Sequence, residues 1–149
     1  LEGSEIGAAF GLVQLTKLQG YIQARMSNFK RQYQFFLKFP EFFSNPVVSP
    51  DVETAFLAYP VMLRSDAPFS RKAFQIFLEE RDIQTRVCFT GNVIRQPMMQ
   101  GVDYKVVSTG VPCADAVMER CVLLPVHHGM TDSMFERLHD VITDFVRSH

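Results

Sequence analysis

The segment Ile83-Gln84-Thr85-Arg86-Val87-Cys88-Phe89-Thr90-Gly91-Asn92-Val93-Ile94-Arg95-Gln96-Pro97 decides how the second half of the chain is organised. Its first five residues alternate between side chains suited to burial and polar side chains, which is typical of a strand with one buried face. A Gly-Asn pair then predicts a turn, and Pro97 closes the loop that follows. The segment therefore predicts a strand that ends in a polar loop.

Polar side chains that could bind a ligand lie in this loop. Asn92 and Gln96 each offer a hydrogen-bond donor and an acceptor, and Arg95 carries a planar guanidinium that suits a phosphate or a carboxylate. Short motifs are weak evidence without context, and an ordinary turn with Arg95 in water would explain the same residues. The residues of the loop alone leave both interpretations open.

Length and charge exclude several classes of protein. The chain has 149 residues, of which 47% are apolar, and a formal net charge of -1. A chain of this size can bury roughly two-thirds of its unfolded surface, so it needs no metal or disulfide to fold. Proteins that bind nucleic acid or anionic membranes are usually strongly basic. We therefore expect one domain or a large piece of one, with no nucleic-acid partner and no membrane partner.

Cysteine usage indicates a reducing compartment. Cys88, Cys113 and Cys121 are odd in number and widely spaced, which argues against a disulfide framework and against a zinc site. No apolar run approaches the length of a membrane span, and the first residues lack a secretion signal. These features predict a cytoplasmic protein. The sequence starts at Leu1 and enters helical periodicity at once, which we interpret as a piece of a longer protein.

Residues 1–39 predict a helical arm that connects to the rest of the chain. Ser4 suits an N-cap, and apolar residues then recur every three or four positions. Gly20 predicts a bend before a second helix that runs to Phe36.

Residues 40–149 predict a small α+β domain. Pro40, Pro46 and Pro50 punctuate the loop that separates it from the arm. The expected order of elements is a strand over 54–63, a helix capped by Ser70, a strand over 83–87, a helix from Pro112, a strand over 121–124 and a final helix from Thr131. The predicted architecture is a short three-stranded sheet covered by helices.

The histidines and Cys88 are the remaining candidates for chemistry. His127 and His128 are adjacent, so they cannot chelate one metal as an i, i+4 pair on a helix would, and we predict no metal site. A nucleophile–base pair of Cys88 with one of these histidines conflicts with the apolar strand that holds Cys88, where a thiol is usually inert. The residues alone thus give no complete catalytic set.

Several segments, in this order and spacing, resemble the C-terminal part of the DegT-type family of pyridoxal-phosphate-dependent nucleotide-sugar aminotransferases and dehydrases. The likeness covers nearly the whole chain, and the loop Gly-Asn-x-x-Arg-Gln-Pro is most similar to the branch with the CDP-hexulose 3-dehydrases. The segments that carry it are 4–15, 59–61, 69–71, 77–80, 83–86, 91–97 and 124–131.

The resemblance implies the small C-terminal domain of a fold-type I pyridoxal-phosphate enzyme, related to aspartate aminotransferase. In that family a lysine in aminotransferases, or a histidine in dehydrases, faces the cofactor, and both would lie upstream of this chain. No catalytic residue is thus expected here. The implied partners are a second identical subunit and a nucleotide-sugar, and the implied pathways are deoxy- and amino-sugar synthesis of the lipopolysaccharide type. The candidate substrate-binding residues are Arg86, Asn92, Arg95, His127 and His128.

One alternative from a different class is a non-catalytic interaction module. In that case the apolar arm, Ile6 to Phe36, would bind a partner protein. A large α/β domain encoded upstream of Leu1, with a lysine or histidine at the cofactor position, would favour the enzyme.

Overall fold

The fold begins with one long helix. The computed structural model describes residues 3–149, so Leu1 and Glu2 of the predicted arm 1–39 lie outside the described residues. Helix α1 spans Glu5–Phe36 without interruption, so the predicted start of a second helix after Gly20 is wrong. A glycine inside a helix costs only about 1 kcal/mol, whereas a break would leave backbone groups of two helix ends without partners. Ser4 takes the N-cap position, but its side chain makes no capping hydrogen bond.

The two halves of α1 differ in burial. Phe29, Gln32, Phe35 and Phe36 are buried near its C-terminal end. Towards the N-terminus the large apolar side chains are exposed, from Ile6 to Leu18. Only the second half of the helix therefore belongs to the core.

The remainder forms a four-stranded antiparallel sheet with helices. Its elements are β1 (Phe43–Ser44), β2 (Tyr59–Leu63), α2 (Arg71–Glu79), β3 (Arg86–Val87), α3 (Pro112–Arg120), β4 (Cys121–Leu124) and α4 (Asp132–Arg147), with short 3-10 turns at Val93–Arg95 and Pro97–Met99. The strand order is β1-β2-β4-β3. The α+β class is therefore confirmed, whereas the expectation of three strands is wrong.

The additional strand and the shorter strands have local causes. β1 has only two residues, inside the proline-rich loop, so it is too short to show a period in the sequence. β3 is limited to Arg86–Val87 instead of the predicted 83–87. Ile83 and Thr85 are buried as the alternation predicts, whereas the same prediction is wrong for Val87, which is 46% exposed. Pro60 fits inside β2 because β1 pairs only with Leu63 and Met62 and leaves the other end of β2 free on that side.

Aromatic side chains from every layer meet in one core. Phe36 of α1 packs on Phe43 of β1 with ring centroids 5.1 Å apart, and Phe74 of α2 packs on Phe145 of α4 at 5.2 Å. Tyr59 of β2 is fully buried, and its hydroxyl donates to Asn45 Oδ1 at 2.6 Å. The sheet and helices thus hold β3 and the loop after it on a rigid base.

In the part of the chain that the structure describes, no helix combines the length and apolar character needed to cross a bilayer.

Candidate functional site

The loop after β3, residues 88–97, is built on two residues with left-handed backbone. Phe89 has φ +49° and Gly91 has φ +66°. A Cβ at Gly91 would lie 2.4 Å from Cβ and 2.5 Å from Cα of Met118, so only glycine lets the loop approach α3 this closely. The Gly-Asn pair therefore places the loop against helix α3 and does not form an ordinary exposed turn.

Asn92 is buried and holds the loop. It is only 3% exposed. Its Oδ1 accepts from the backbone N–H of Ile94 at 3.1 Å, which caps the first 3-10 turn, and its Nδ2 donates to Asp115 Oδ1 at 2.7 Å. Both the oxygen and the nitrogen of its side-chain amide are therefore engaged inside the protein.

Arg95 forms a bidentate pair with the same carboxylate of α3. Its Nε lies 2.9 Å from Asp115 Oδ1, and its Nη2 lies 3.0 Å from Oδ2. The Arg95 guanidinium, and then the Asn92 amide, hold the pKa of Asp115 below its usual range. The Arg95 side chain is still 58% exposed, so N–H groups that Asp115 does not use remain open to solvent.

Two cavities meet at the start of the loop. One has a volume of 290 Å³ and is lined by residues that include Arg71, Cys88, Gly91 and Met118. The other has a volume of 510 Å³ and a mostly apolar lining that includes Leu57, Arg86 and Pro125. Val87 and Phe89 line both.

Arg86 and His127 lie close to these cavities, whereas His128 does not line them. Arg86 lines the 510 Å³ cavity and donates from Nη1 to the Thr85 carbonyl at 2.8 Å. His127 lines a neighbouring cavity of 310 Å³ that shares Gln84 and Pro125 with the 510 Å³ cavity. Its Nδ1 accepts from the Gly129 backbone N–H at 3.2 Å.

His128 stacks on Tyr21 of α1, with ring centroids 3.8 Å apart. The side chains of the two adjacent histidines therefore contact different surfaces, as their position on a loop predicts.

Three residues at this site were not singled out from the sequence. Asp115 binds both Asn92 and Arg95, Phe89 presents a ring that is 77% exposed, and Arg71 lines the smaller cavity. The position of Phe89 just before the Gly-Asn turn could have marked it as a loop residue. Its positive φ could not be predicted from the sequence. Cys88 also differs from expectation, because it is half-buried and lies outside the strand.

These cavities do not by themselves fit a pyridoxal-phosphate site of the Schiff-base type. Among the described residues, no lysine lines either cavity at the loop. The cationic groups are Arg71 and Arg86, which suit anionic oxygens and form no imine. The arrangement can bind a charged, partly apolar ligand, but the described lining of these two cavities holds no amine that would form an imine with an aldehyde cofactor.

A family model described as the DegT/DnrJ/EryC1/StrS aminotransferase family matches residues 4–143. The chain belongs to this family. The resemblance seen in the sequence is thereby confirmed.

Relatives of this DegT-family chain include a sugar dehydratase and a lipopolysaccharide biosynthesis protein. It is 31% identical over 146 residues to the dTDP-4-dehydro-2,6-dideoxy-D-glucose 3-dehydratase of Saccharopolyspora spinosa, covering 98% of this chain and 31% of that protein. It is 29% identical over 145 residues to the lipopolysaccharide biosynthesis protein RfbH of Salmonella typhimurium, covering 97% and 32%. The chain thus spans about a third of the length of the curated relatives it matches.

Solved structures confirm the fold. The GDP-4-keto-6-deoxy-D-mannose-3-dehydratase of E. coli with bound hydrated PLP superposes with a TM-score of 0.79 and 22% identity, over 95% of this chain and 37% of that one. At this identity the likeness establishes the architecture of the DegT-family chain and not its substrate.

Proposed function

We propose that this DegT-family chain is the small-domain part of a pyridoxal-phosphate enzyme that acts at a keto-sugar carbon of a nucleotide-sugar. The reaction would be transamination or 3-dehydration, in a pathway such as lipopolysaccharide sugar synthesis. The observation that carries the proposal is the family match over residues 4–143, combined with coverage of only about a third of the relatives.

Two parts of the enzyme would have different roles. Pyridoxal phosphate would supply an electron sink that stabilises negative charge at the reacting carbon. No lysine lines the two cavities at the loop among the described residues, so we assign the cofactor contacts and the catalytic lysine or histidine to the rest of the enzyme. By itself this chain would be inactive.

The role of this chain would be to bind and orient the nucleotide-sugar. Arg86, at the wall of the 510 Å³ cavity, offers a cation for a diphosphate next to apolar surface. The solvent-exposed part of Arg95 offers a second cation, while Asn92 fixes the loop. His127 extends the same surface through the neighbouring cavity, and we place His128 at its periphery, against α1.

The exposed half of α1 supports a larger assembly. Ile6, Phe10 and Leu15 are 83%, 68% and 63% exposed, and a helix segment with several exposed apolar side chains is typical of an interface. We propose that it packs within a cytoplasmic homodimer of the full enzyme.

The direct test is turnover by the full-length protein. It would be incubated with a nucleotide-linked 4-keto-6-deoxy sugar, with and without glutamate, and the products would be weighed by mass spectrometry. A product in which an amino group replaces the keto oxygen identifies an aminotransferase, and loss of one water identifies a dehydratase. No conversion of any nucleotide-linked keto-sugar, by a protein that binds no cofactor, would contradict the proposal.

The same exposed apolar segment of α1 also favours the second candidate, a non-catalytic interaction module. That candidate predicts a protein without a cofactor that co-purifies with a partner bound through α1. Substituting Phe10 and Leu15 by glutamate would then abolish partner binding, whereas in the enzyme it would dissociate the dimer.

A further inference from the structure

Two of the three cysteines are neighbours of the same register pair at the end of the ladder between β3 and β4. The register pairs are Arg86 with Leu123 and Val87 with Val122. Cys88 follows Val87 and lies just outside β3, and Cys121 precedes Val122 at the start of β4. Paired residues in such a ladder have Cα atoms roughly 4.5–5.5 Å apart, and disulfides join Cα atoms about 4.4–6.8 Å apart, so the residues next to this pair start close to that range.

The Cys121 thiol is sensitive to its neighbour. Burial, followed by the charge of the nearby Cys88 thiol, raises the pKa of Cys121 to about 12. This dependence on Cys88 agrees with the placement that the backbone register indicates.

Their accessibility differs in a way that suits a sequential reaction. Cys88 is half-buried and lines the open 290 Å³ cavity beside Arg71, so a small molecule can reach its sulfur. Cys121 is 5% exposed. A small oxidant would thus meet Cys88 first, and Cys121 would react from the protein side.

We propose that Cys88 and Cys121 are a redox-active pair that forms a reversible intramolecular disulfide with a peroxide as oxidant. Cys88 sulfur attacks one peroxide oxygen, the O–O bond breaks, and the products are a Cys88 sulfenic acid and one water. Cys121 sulfur then attacks the Cys88 sulfur and loses its proton, and the departing hydroxide leaves as a second water. Peroxide is reduced and the two thiols are oxidised. Such transient disulfides occur in reducing compartments as well.

The bond would restrain the loop after β3. Cys88 starts this loop, and its carbonyl accepts from the Gly91 N–H at 3.0 Å. A disulfide to β4 would tie the first residue of the loop to the strand next to it, beside the left-handed Phe89. Oxidation would therefore act on the loop that carries Asn92 and Arg95.

Peptide mapping of the full-length protein tests the pair without any assay of activity. The protein would be treated with hydrogen peroxide, free thiols would be blocked with N-ethylmaleimide, and the denatured protein would be digested with trypsin without reduction. Trypsin places Cys88, Cys113 and Cys121 on separate peptides, 87–95, 106–120 and 121–137. The expected product is a cross-linked peptide of 87–95 with 121–137 that dithiothreitol separates.

Matched variants define the alternatives. Cys88→Ser should abolish the cross-link, and Cys113→Ser should leave it unchanged because Cys113 is exposed and separate from the pair. The inference fails if Cys88 is recovered blocked by maleimide or as a sulfinic acid while no cross-linked peptide forms. A cross-link from Cys88 to Cys113 would also overturn it. None of these results depends on whether the protein is an enzyme.

Discussion

Among the glycines that the structure describes, Gly91 is the one at which an added Cβ meets the closest contacts. Gly91→Ala should destabilise the protein by roughly 2–4 kcal/mol, because it combines a left-handed backbone with overlap against Met118. Urea unfolding measures the change.

Gly101→Ala is the matched control for Gly91→Ala. Gly101 has φ +75°, and among the described residues nothing lies within 4 Å of its Cβ position, so the variant should cost only about 1 kcal/mol. Equal losses for the two variants would contradict the close contact with α3.

His139 makes stability depend on pH. Its ring stacks on Phe35 with centroids 3.8 Å apart, and its Nε2 lies 3.0 Å from Gln32 Oε1. Burial, followed by the charges of Arg31 and Lys38, lowers the pKa of His139 to about 4. The unfolded chain therefore binds the proton more readily than the folded chain. The contribution of His139 to the free energy of unfolding is fully present above about pH 6.5 and is lost as the pH falls towards 4.

The expected loss at His139 is about 1–2 kcal/mol after allowance for its partial exposure to solvent. Urea unfolding between pH 4 and pH 7 measures it. His139→Gln should make the free energy of unfolding less dependent on pH in this range, whereas His127→Gln should leave the pH dependence unchanged. A profile that His139→Gln does not change would assign the pH dependence to other groups.

At the scale of elements, the loop depends on α3 through one carboxylate. Asp115→Asn removes the charge that binds Arg95 and weakens the bond to Asn92. We expect severalfold faster amide hydrogen exchange in residues 92–96. Asp66→Asn is the control, since Asp66 pairs with Arg64 at 3.3 Å away from this loop. Unchanged exchange in Asp115→Asn would show that this carboxylate does not hold the loop.

Helix starts could be predicted well because their signals are local. Ser70 Oγ accepts from the Ala73 N–H at 3.1 Å, and Thr131 Oγ1 accepts from the Met134 N–H at 3.3 Å, as their positions before apolar periodic segments predict. The buried face of α4 has helical spacing of three and four residues, through Phe135, Leu138 and Ile142.

The site could be predicted only in part because its partners are distant in sequence. Asn92 and Arg95 were found from the turn, but Asp115 lies 20 residues beyond Arg95 on another element. β1 was missed because a two-residue strand is specified by its neighbour β2 and not by its own residues. The positive φ of Phe89 arises from the packing of the loop, which no local pattern encodes.

At the scale of the whole molecule, Arg86 tests whether this chain contributes to substrate binding. Loss of one charged hydrogen bond to a phosphate costs about 1.5–3 kcal/mol, so Arg86→Ala should raise KM for the nucleotide-sugar by about 10- to 100-fold with a smaller effect on kcat. Arg64→Ala is the control, because its partner is the exposed Asp66. An unchanged KM in Arg86→Ala would remove this cavity from the site.

The measurement that tests the central claim most directly is the visible absorbance spectrum of the full-length protein, before and after borohydride reduction. We predict a pyridoxal-phosphate band: reduction fixes the cofactor covalently in an aminotransferase with its lysine, and leaves it removable in a dehydratase with a histidine. A full-length protein without any such band, even after incubation with pyridoxal phosphate, would contradict the assignment to a pyridoxal-phosphate enzyme.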